Sequence, residues 1–439
     1  SGWIIIDPLT GAESARAAMQ LVTEKLGQRP VVAVIYTHSH VDHFGGALAV
    51  VSQDDAKSGK VPVIAPEGFV EHAVSENVIA GPAMLRRATY MFGAVLPRGT
   101  AGHVSAGIGP ARTSGSFVLV PPNDSITAAS TRRTVDGIEI EFQLTPNTEA
   151  PSEMNFYLPQ FRALCLAENG NGAMHNLLTP RGALVRDAKG WAAYLLDARR
   201  RWGGQSDLVF TSHFWPRWGR DTVSDYMLRH AQAYAFVHNE SVRLMNQGMN
   251  AVEIGEAIRL PAPLGRAWFN RPNYGGLKFN ARAVYQRYLG AFDGDPVNLD
   301  PLPRADAAKL YVEAMGGGPR VYALAANAAA KGEDRWAATL LGHLVRAEPD
   351  NAAAKQALAR SYDQLAWQAE ASPWRDFYLT GAQELRGGIK PTTVTTSAAG
   401  IAGSLRVSDL LDTMSVRVVP EKALVPMTIA FDVPDVKER

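Results

Sequence analysis

The chain has 439 residues, 46% of them hydrophobic and 20% charged, with a net charge of +1, which is enough material for two or three globular domains. So even a charge balance excludes the basic footprint of a nucleic-acid binder or of a protein held to anionic lipid, and no apolar run reaches the length of a membrane span. The one cysteine, Cys165, excludes an intramolecular disulfide, and its setting in Ala163-Leu164-Cys165-Leu166-Ala167 reads as a core thiol.

The sequence opens on Gly2-Trp3-Ile4-Ile5-Ile6-Asp7-Pro8, a core strand with no turn before it, so further residues are expected to precede it, and likewise to follow the strand-like run near Arg439. Short apolar runs predict strands at Ile4–Ile6, Val31–Tyr36, Val61–Ile64, Ile138–Leu144, Asn155–Leu158, Ala163–Ala167 and Asp207–Thr211. Helices are predicted at Ala12–Leu26, Ala47–Ser52 and Gly190–Trp202. This alternation implies an α/β domain over residues 1–220, with its loops at strand ends. Within it Gly81–Pro122, rich in Gly, Pro and Ser, reads as one long loop, part of which packs over something through Met84, Leu85, Tyr90, Met91, Phe92, Val95 and Leu96. Residues 221–386 carry apolar side chains at helical spacing. Val321–Leu365 has the look of tetratricopeptide helix pairs, in too few copies for a solenoid. Residues 387–404 have linker composition, and 405–439 begin a third unit with a short helix at Val407–Met414 and two strand-like runs, "MSVRVV" and "MTIAFDV".

The chemistry concentrates in "THSHVDHFGG", residues Thr37–Gly46. Of ten histidines in the chain, three fall here, with an aspartate among them: His38, His40, Asp42 and His43. The motif follows a buried strand and precedes two glycines that permit a tight turn, so a rigid scaffold presents ligand-type side chains at a strand's carboxyl end. On extended backbone residues i and i+2 point the same way, so His38 and His40 can grip one ion, whereas Asp42 and His43, further along, suit a second. Imidazole and carboxylate donors fit Zn²⁺, with Mn²⁺ or Fe²⁺ as alternatives. Two ions can hold the attacking and leaving oxygens of one displacement. Further ligands are expected at later strand ends: Glu149 after Ile138–Leu144, Glu168 after the Cys165 run, and His213 after Leu208–Phe210.

These stretches, "THSHVDHFGG", "TEAPSEM", "AENGNGAMHNLLTPRGALVRDAKGW", "TSHFWPRWG" and "NYGGLKFNARAVYQRYLGAFDGDPVNLDPLP", together resemble the linear alkylsulfatases, dodecyl-sulfate-hydrolysing enzymes of the metallo-β-lactamase superfamily. The H-x-H-x-D-H motif resembles the superfamily at large and the others the alkylsulfatase branch, over nearly the whole chain. The resemblance implies an αββα sandwich, an all-α dimerisation domain and the start of an α+β sterol-carrier-like domain. It further implies two Zn²⁺ ions, one on His38, His40 and Glu149, the other on Asp42, His43 and His213, with Glu168 bridging. Glu149 stands where most of the superfamily has histidine; three carboxylates against two Zn²⁺ leave about +1, favourable for an anionic substrate. Asn176 and Arg181 are implied as sulfate ligands, and a guanidinium fork does match a tetrahedral oxyanion. His175 is read as structural. The implied reaction is hydrolysis of an alkyl sulfate to alcohol and sulfate by zinc-activated hydroxide, with attack at carbon and at sulfur both open. A homodimer and a periplasmic or secreted location follow from the family alone. Phe279 stands where the dodecyl-sulfate enzymes are expected to have histidine, and is expected near the sulfate end of the pocket, altering substrate preference. The competing readings are another hydrolase of this fold, acting on a lactone, thioester, β-lactam or phosphodiester, and a lipid-binding protein with a vestigial metal site. Glu149 argues against the first and the full set of seven ligands against the second.

Overall fold

Residues 2–391, 398–422 and 425–434 are described by a computed structural model. The first half is a sandwich of two sheets. β1 (Trp3–Ile6), β2 (Val31–Ile35), β3 (Val63–Pro66) and β4 (Asp124–Ile126) form a parallel sheet in that order. β5 (Ser130–Val135), β6 (Ile138–Leu144), β7 (Met154–Leu158), β8 (Ala163–Cys165), β9 (Leu208–Phe210) and β10 (Arg217–Trp218) form the second. It is antiparallel except where β8 runs alongside β9. The β5–β6 hairpin turns on Asp136-Gly137, both at positive φ (48° and 79°), the backbone that a two-residue primed turn demands.

The period-2 alternation of β2 explains the layering. Ala33 and Ile35 face the second sheet and join Ile64, Ile126, Ile140, Phe142, Met154, Phe156 and Cys165 in the core between the sheets. Val34 and Tyr36 face the other way, onto Phe44, Ala47, Val51 and Phe69 beneath the flanking helices. On the outer face of the second sheet, Leu164 and Val209 meet Trp191, Leu195 and Trp202 of α4 (Ala188–Trp202) and Val223, Tyr226 and Tyr234 of α5 (Arg220–Met245). The order is therefore helix, sheet, sheet, helix. Earlier in the chain come α1 (Ala12–Leu26), α2 (Val41–Phe44) and α3 (Gly81–Met91).

α3 corrects the expectation of one long loop from Gly81. Pro82 sits in the first turn, where its missing N–H costs nothing, and the residues after it, Met84 to Met91, carry an apolar stripe. A π-helical turn, Ser75–Ile79, precedes it. The segment from Phe92 to Asn123 remains irregular. Ala47–Ala49 is a single 3₁₀ turn, not the longer helix expected, and β4 and β5 were not foreseen.

Beyond α5 the chain is helical: α6 (Leu277–Leu289), then α7 (Arg304–Ala314), α8 (Gly318–Ala330), α9 (Asp334–Ala347), α10 (Ala352–Trp367) and α11 (Ser372–Gly387). α7–α10 share a core of Val312, Val321, Ala325, Leu340, Leu341, Leu344 and Leu358. Of the linker expected at 387–404, residues 392–397 lie outside the described residues; within the rest a short helix, Ala398–Ala402, corrects the expectation, with Ile401 fully buried on the Phe117 side of the sandwich core. α12 (Val407–Met414) matches the expected helix. The two strand-like runs form no strand among the described residues: Ser415–Arg417 is a 3₁₀ turn and 427–432 is irregular.

Candidate metal centre

The seven expected ligands converge at one end of the sandwich, six of them in the wall of a cavity of about 310 Å³ and His38 buried just behind it. His38 and His40 leave the end of β2 on extended backbone with their ring centroids 5.0 Å apart. His40 caps α2, which carries Asp42 and His43. Glu149 and Glu168 follow β6 and β8, and His213 follows β9. His38 Nε2 lies 3.1 Å and His40 Nδ1 2.5 Å from Glu149 Oε2. Glu168 Oε1 lies 3.0 Å from His43 Nε2, 2.9 Å from His213 Nε2 and 3.7 Å from His38 Nε2. Asp42 Oδ2 is 3.3 Å from His43 Nε2 and 3.4 Å from His213 Nε2. This reproduces the two groupings, His38–His40–Glu149 and Asp42–His43–His213, with Glu168 between them.

A metal fits these donors. His38 Nε2, His43 Nε2, His213 Nε2 and Glu149 Oε2 are buried, have no hydrogen-bond partner, and point at one another. Unpartnered buried polar atoms are costly, and a divalent cation among them would satisfy all of them together. The far sides of the ligands are held. Asp7, at the end of β1, accepts from Thr37 N (2.8 Å), Thr37 Oγ1 (2.7 Å) and Ser212 Oγ (2.8 Å), and pairs with His43 Nδ1 (2.9 Å). That contact directs the lone pair of His43 Nε2 inward. Burial alone would raise the Asp7 carboxyl, but the His43 imidazole holds it below its ordinary value. His175 Nε2 lies 2.7 Å from Glu168 Oε2, and Arg186 Nη2 donates to Glu149 Oε1 at 2.7 Å. Glu153, wholly buried, accepts from Thr148 Oγ1 and from the backbone N–H groups of Glu149, Ala150 and Glu168, so it fixes both ligand-bearing loops. Burial, then the nearby Glu149 charge, pushes Glu153 up to about 8.

Three non-glycine residues beside the ligands have left-handed backbone: Asp7 (φ 51°), Ala167 (φ 44°) and Phe214 (φ 69°). Such strain gathers where side chains must be aimed. Gly45 and Gly46 are required by close approach. A Cβ would lie 2.2 Å from Thr10 O at Gly45 and 2.2 Å from Pro8 O at Gly46. The glycines thus let the loop carrying Asp7 press against the histidine motif.

The two expected anion ligands stand differently. Arg181 lines the cavity, but both of its terminal amino groups have partners: Nη1 donates to Glu76 Oε2 (2.9 Å) and Gly182 O (3.0 Å), and Nη2 is 2.8 Å from His40 Nε2. Asn176 lies behind the wall. Its Oδ1 accepts from Arg186 Nη1, and its buried Nδ2 has no partner. Phe279 is not in the cavity wall, which corrects its expected place: on α6 its ring packs against Trp374 (centroids 4.2 Å) and under Arg282. The next residue, Asn280, is the one that turns inward, bonding Leu177 N (2.8 Å) and His175 O (2.9 Å). Sequence reasoning missed Asp7, Glu76, Arg112, Glu153, Arg186 and Tyr274; only Asp7, directly after a strand, carried the strand-end signal. Met84, Leu85, Leu9, Phe92, Ala106 and Ile108 give the cavity an apolar side.

The sandwich and its strand-end cluster of imidazoles and carboxylates place the protein in the metallo-β-lactamase superfamily, whose fold implies divalent-metal binding; the model of that superfamily matches residues 1–213, and the model described as alkyl sulfatase dimerisation matches residues 250–388. A "linear primary-alkylsulfatase" of Pseudomonas sp. (strain ATCC 19151) is 34% identical over all of this chain and 84% of its own length. An "(R)-specific secondary-alkylsulfatase" of Pseudomonas sp. is 46% identical, also over the whole chain. The solved structure of a "stereoselective inverting sec-alkylsulfatase" from Pseudomonas sp. superposes with a TM-score of 0.94 at 46% identity, over 96% of this chain and 67% of that one. The chain belongs to the alkylsulfatase family. It spans 66% of the length of the secondary-alkylsulfatase relative.

Proposed function

We propose that the protein hydrolyses alkyl sulfate esters, primary or secondary, to alcohol and inorganic sulfate, with two zinc ions on His38, His40, Glu149, Glu168, Asp42, His43 and His213. The observation that carries this reading is the meeting, at one cavity, of a convergent cluster of seven ligand side chains, two guanidinium groups and an apolar wall. The names of the relatives supply the substrate class. Bound at these residues, the ions would lower the pKa of a water and set positive charge against the ester. The chain's own residues do the rest. Asp7, His175 and Arg186 hold His43, Glu168 and Glu149 in place. Arg181 brings a cation to the cavity, and Asn176, just behind the wall, has an Nδ2 without a partner that would bond an anion reaching that depth. Met84, Leu85 and Phe92 bury the alkyl chain and keep bulk water from the ester.

The dimerisation match supports a homodimer, as do exposed large side chains on the helical half, among them Val297, Leu299, Leu302, Leu310 and Tyr311. No helix among the described residues is long and apolar enough to cross a membrane; a periplasmic or secreted location is proposed from the family, and cell fractionation tests it. The deciding experiment for the activity measures zinc per chain and sulfate release from dodecyl sulfate and a secondary alkyl sulfate, before chelation, after it, and after zinc is restored. Two zincs per chain and a rate that follows them are expected. Release of sulfate from neither ester would overturn the proposal.

A further inference from the structure

We propose that Arg112 is a second cationic anchor, beside Arg181, for the substrate's sulfate group and for the sulfate product. This rests on the alkyl sulfate reading and goes beyond it, because Arg112 lies far from every motif that suggested that reading.

Two guanidinium groups face the cavity, Arg112 and Arg181. Their situations are opposite. Arg181 is already matched by a carboxylate: Glu76 takes its Nη1, a backbone carbonyl takes the same group, and His40 lies on its Nη2. An arginine so paired offers an incoming anion less net charge than an unpaired one. Arg112 has no hydrogen-bond or ion-pair partner among the described residues. Its guanidinium rests over the Phe92 ring at 6.0 Å and looks into the space between that apolar wall and the metal ligands. Burial brings it down to about 10, opposed by the Asp42 charge and helped to a lesser degree by Arg181. It therefore stays charged at neutral pH with no carboxylate in contact among the described residues, the nearby Asp42 being turned to the metal ligands. A cation held partly out of water and unpaired calls for an anion from outside.

The loop that presents Arg112 is built, not loose. Pro110 O, two residues earlier, accepts from Arg98 Nη1 (2.9 Å) and from His103 Nε2 (3.1 Å). His103 Nδ1 meets Asp376 Oδ2 of α11 at 3.0 Å. Gly107 O accepts from Asn273 Nδ2 at 2.7 Å. Gly93 is packed so tightly against this pair that a Cβ would lie 2.8 Å from both His103 Nδ1 and Asp376 Cγ. A side chain meant only for solvent needs no such bracing.

The test uses the zinc-loaded full chain and inorganic sulfate as the probe, with binding followed by calorimetry and product inhibition by kinetics. R112Q is expected to weaken sulfate binding at least 10-fold and to raise KM for alkyl sulfate in step, with zinc per chain unchanged. R112K should recover part of the loss, because an ammonium restores charge but not the fork. If R112Q binds sulfate within twofold of the wild type, or loses zinc, the proposal is overturned, in the second case because Arg112 then supports the metal site. If the wild type hydrolyses alkyl sulfates normally while R112Q is unaffected, this inference alone fails. If the wild type neither binds sulfate nor hydrolyses the esters, the functional reading fails and takes the inference with it.

Discussion

Asp7 offers the sharpest test of how the metal centre is held. Its carboxylate accepts three hydrogen bonds from Thr37 and Ser212 and pairs with His43 Nδ1. Asp7→Asn is the informative change, because Asn keeps the shape and tolerates the left-handed backbone at φ 51°. One face of the new amide must carry NH₂. Placed at Oδ1 it opposes the Thr37 N–H. Placed at Oδ2 it opposes a protonated His43 Nδ1, or forces that ring to the tautomer whose Nε2 carries the proton and cannot bind metal. Either choice leaves at least one buried donor unmatched, at about 1–3 kcal/mol. Passed on to the metal, that is roughly a 10- to 100-fold loss of affinity. Titration of zinc-loaded wild type and D7N with a graded chelator reads this directly. One zinc should leave D7N at lower chelator concentration, with far-ultraviolet circular dichroism unchanged. Identical release curves would refute the argument that Asp7 sets the orientation of His43.

Arg181→Ala should destabilise the fold by about 1–3 kcal/mol in urea unfolding, because buried Glu76 loses its guanidinium and keeps only His40 Nε2 at 3.3 Å; E76Q added to R181A should restore most of that stability without restoring turnover. The His103–Asp376 pair predicts a pH effect. Hydrogen bonding to Asp376 holds His103 above its ordinary value, against burial and Arg98, while burial raises Asp376 against the pull of His103 and Arg375. A raised histidine contributes stability below its unfolded pKa of about 6.5 and loses it as pH rises through the folded value. The Tm gap between wild type and H103Q should accordingly be widest near pH 6 and close toward pH 9; a constant gap would count against the charged pair. Phe279→His should leave the ratio of rates on dodecyl sulfate and a secondary alkyl sulfate within twofold, since that ring packs on Trp374 outside the cavity; a marked change of preference would show that α6 moves during binding.

What the sequence disclosed followed the range of the interactions. The histidine motif was readable because its ligands lie within six residues on one strand end. Glu149, Glu168 and His213 were readable because each follows an apolar strand in the same way. Glu153 and Arg186 were not, because their decisive contacts join separate loops: Glu153 bonds the Glu168 amide 15 residues on, and Arg186 bonds Glu149 37 residues back. Gly81-Pro82 read as a break when it was a helix start, because the two roles use the same residues. Phe279 was misplaced by one position of helical phase: about 100° separates it from Asn280, which is enough to turn one into the sandwich and the other onto Trp374. The run at 427–433 has strand composition, yet its isolated apolar residues have no neighbouring strand to pair with among the described residues.

The brace between the cavity roof and α11 has a consequence for how the molecule divides. His103 is tied to Asp376, Arg375 donates to Gly102 O (3.2 Å), Gln383 to Val95 O (3.2 Å), and Arg86 and Tyr90 of α3 both reach Glu384. The walls that would recognise the ligand are thus hung from the half of the chain that carries no metal ligand. A protease cut or a gene truncation after β10 would leave every imidazole and carboxylate of the centre in the surviving fragment, and the ceiling over them too, but would strip that ceiling of its supports on α11. Such a fragment would be a metal site under an unbraced roof. The two halves of this chain are separable as architecture but not as machinery.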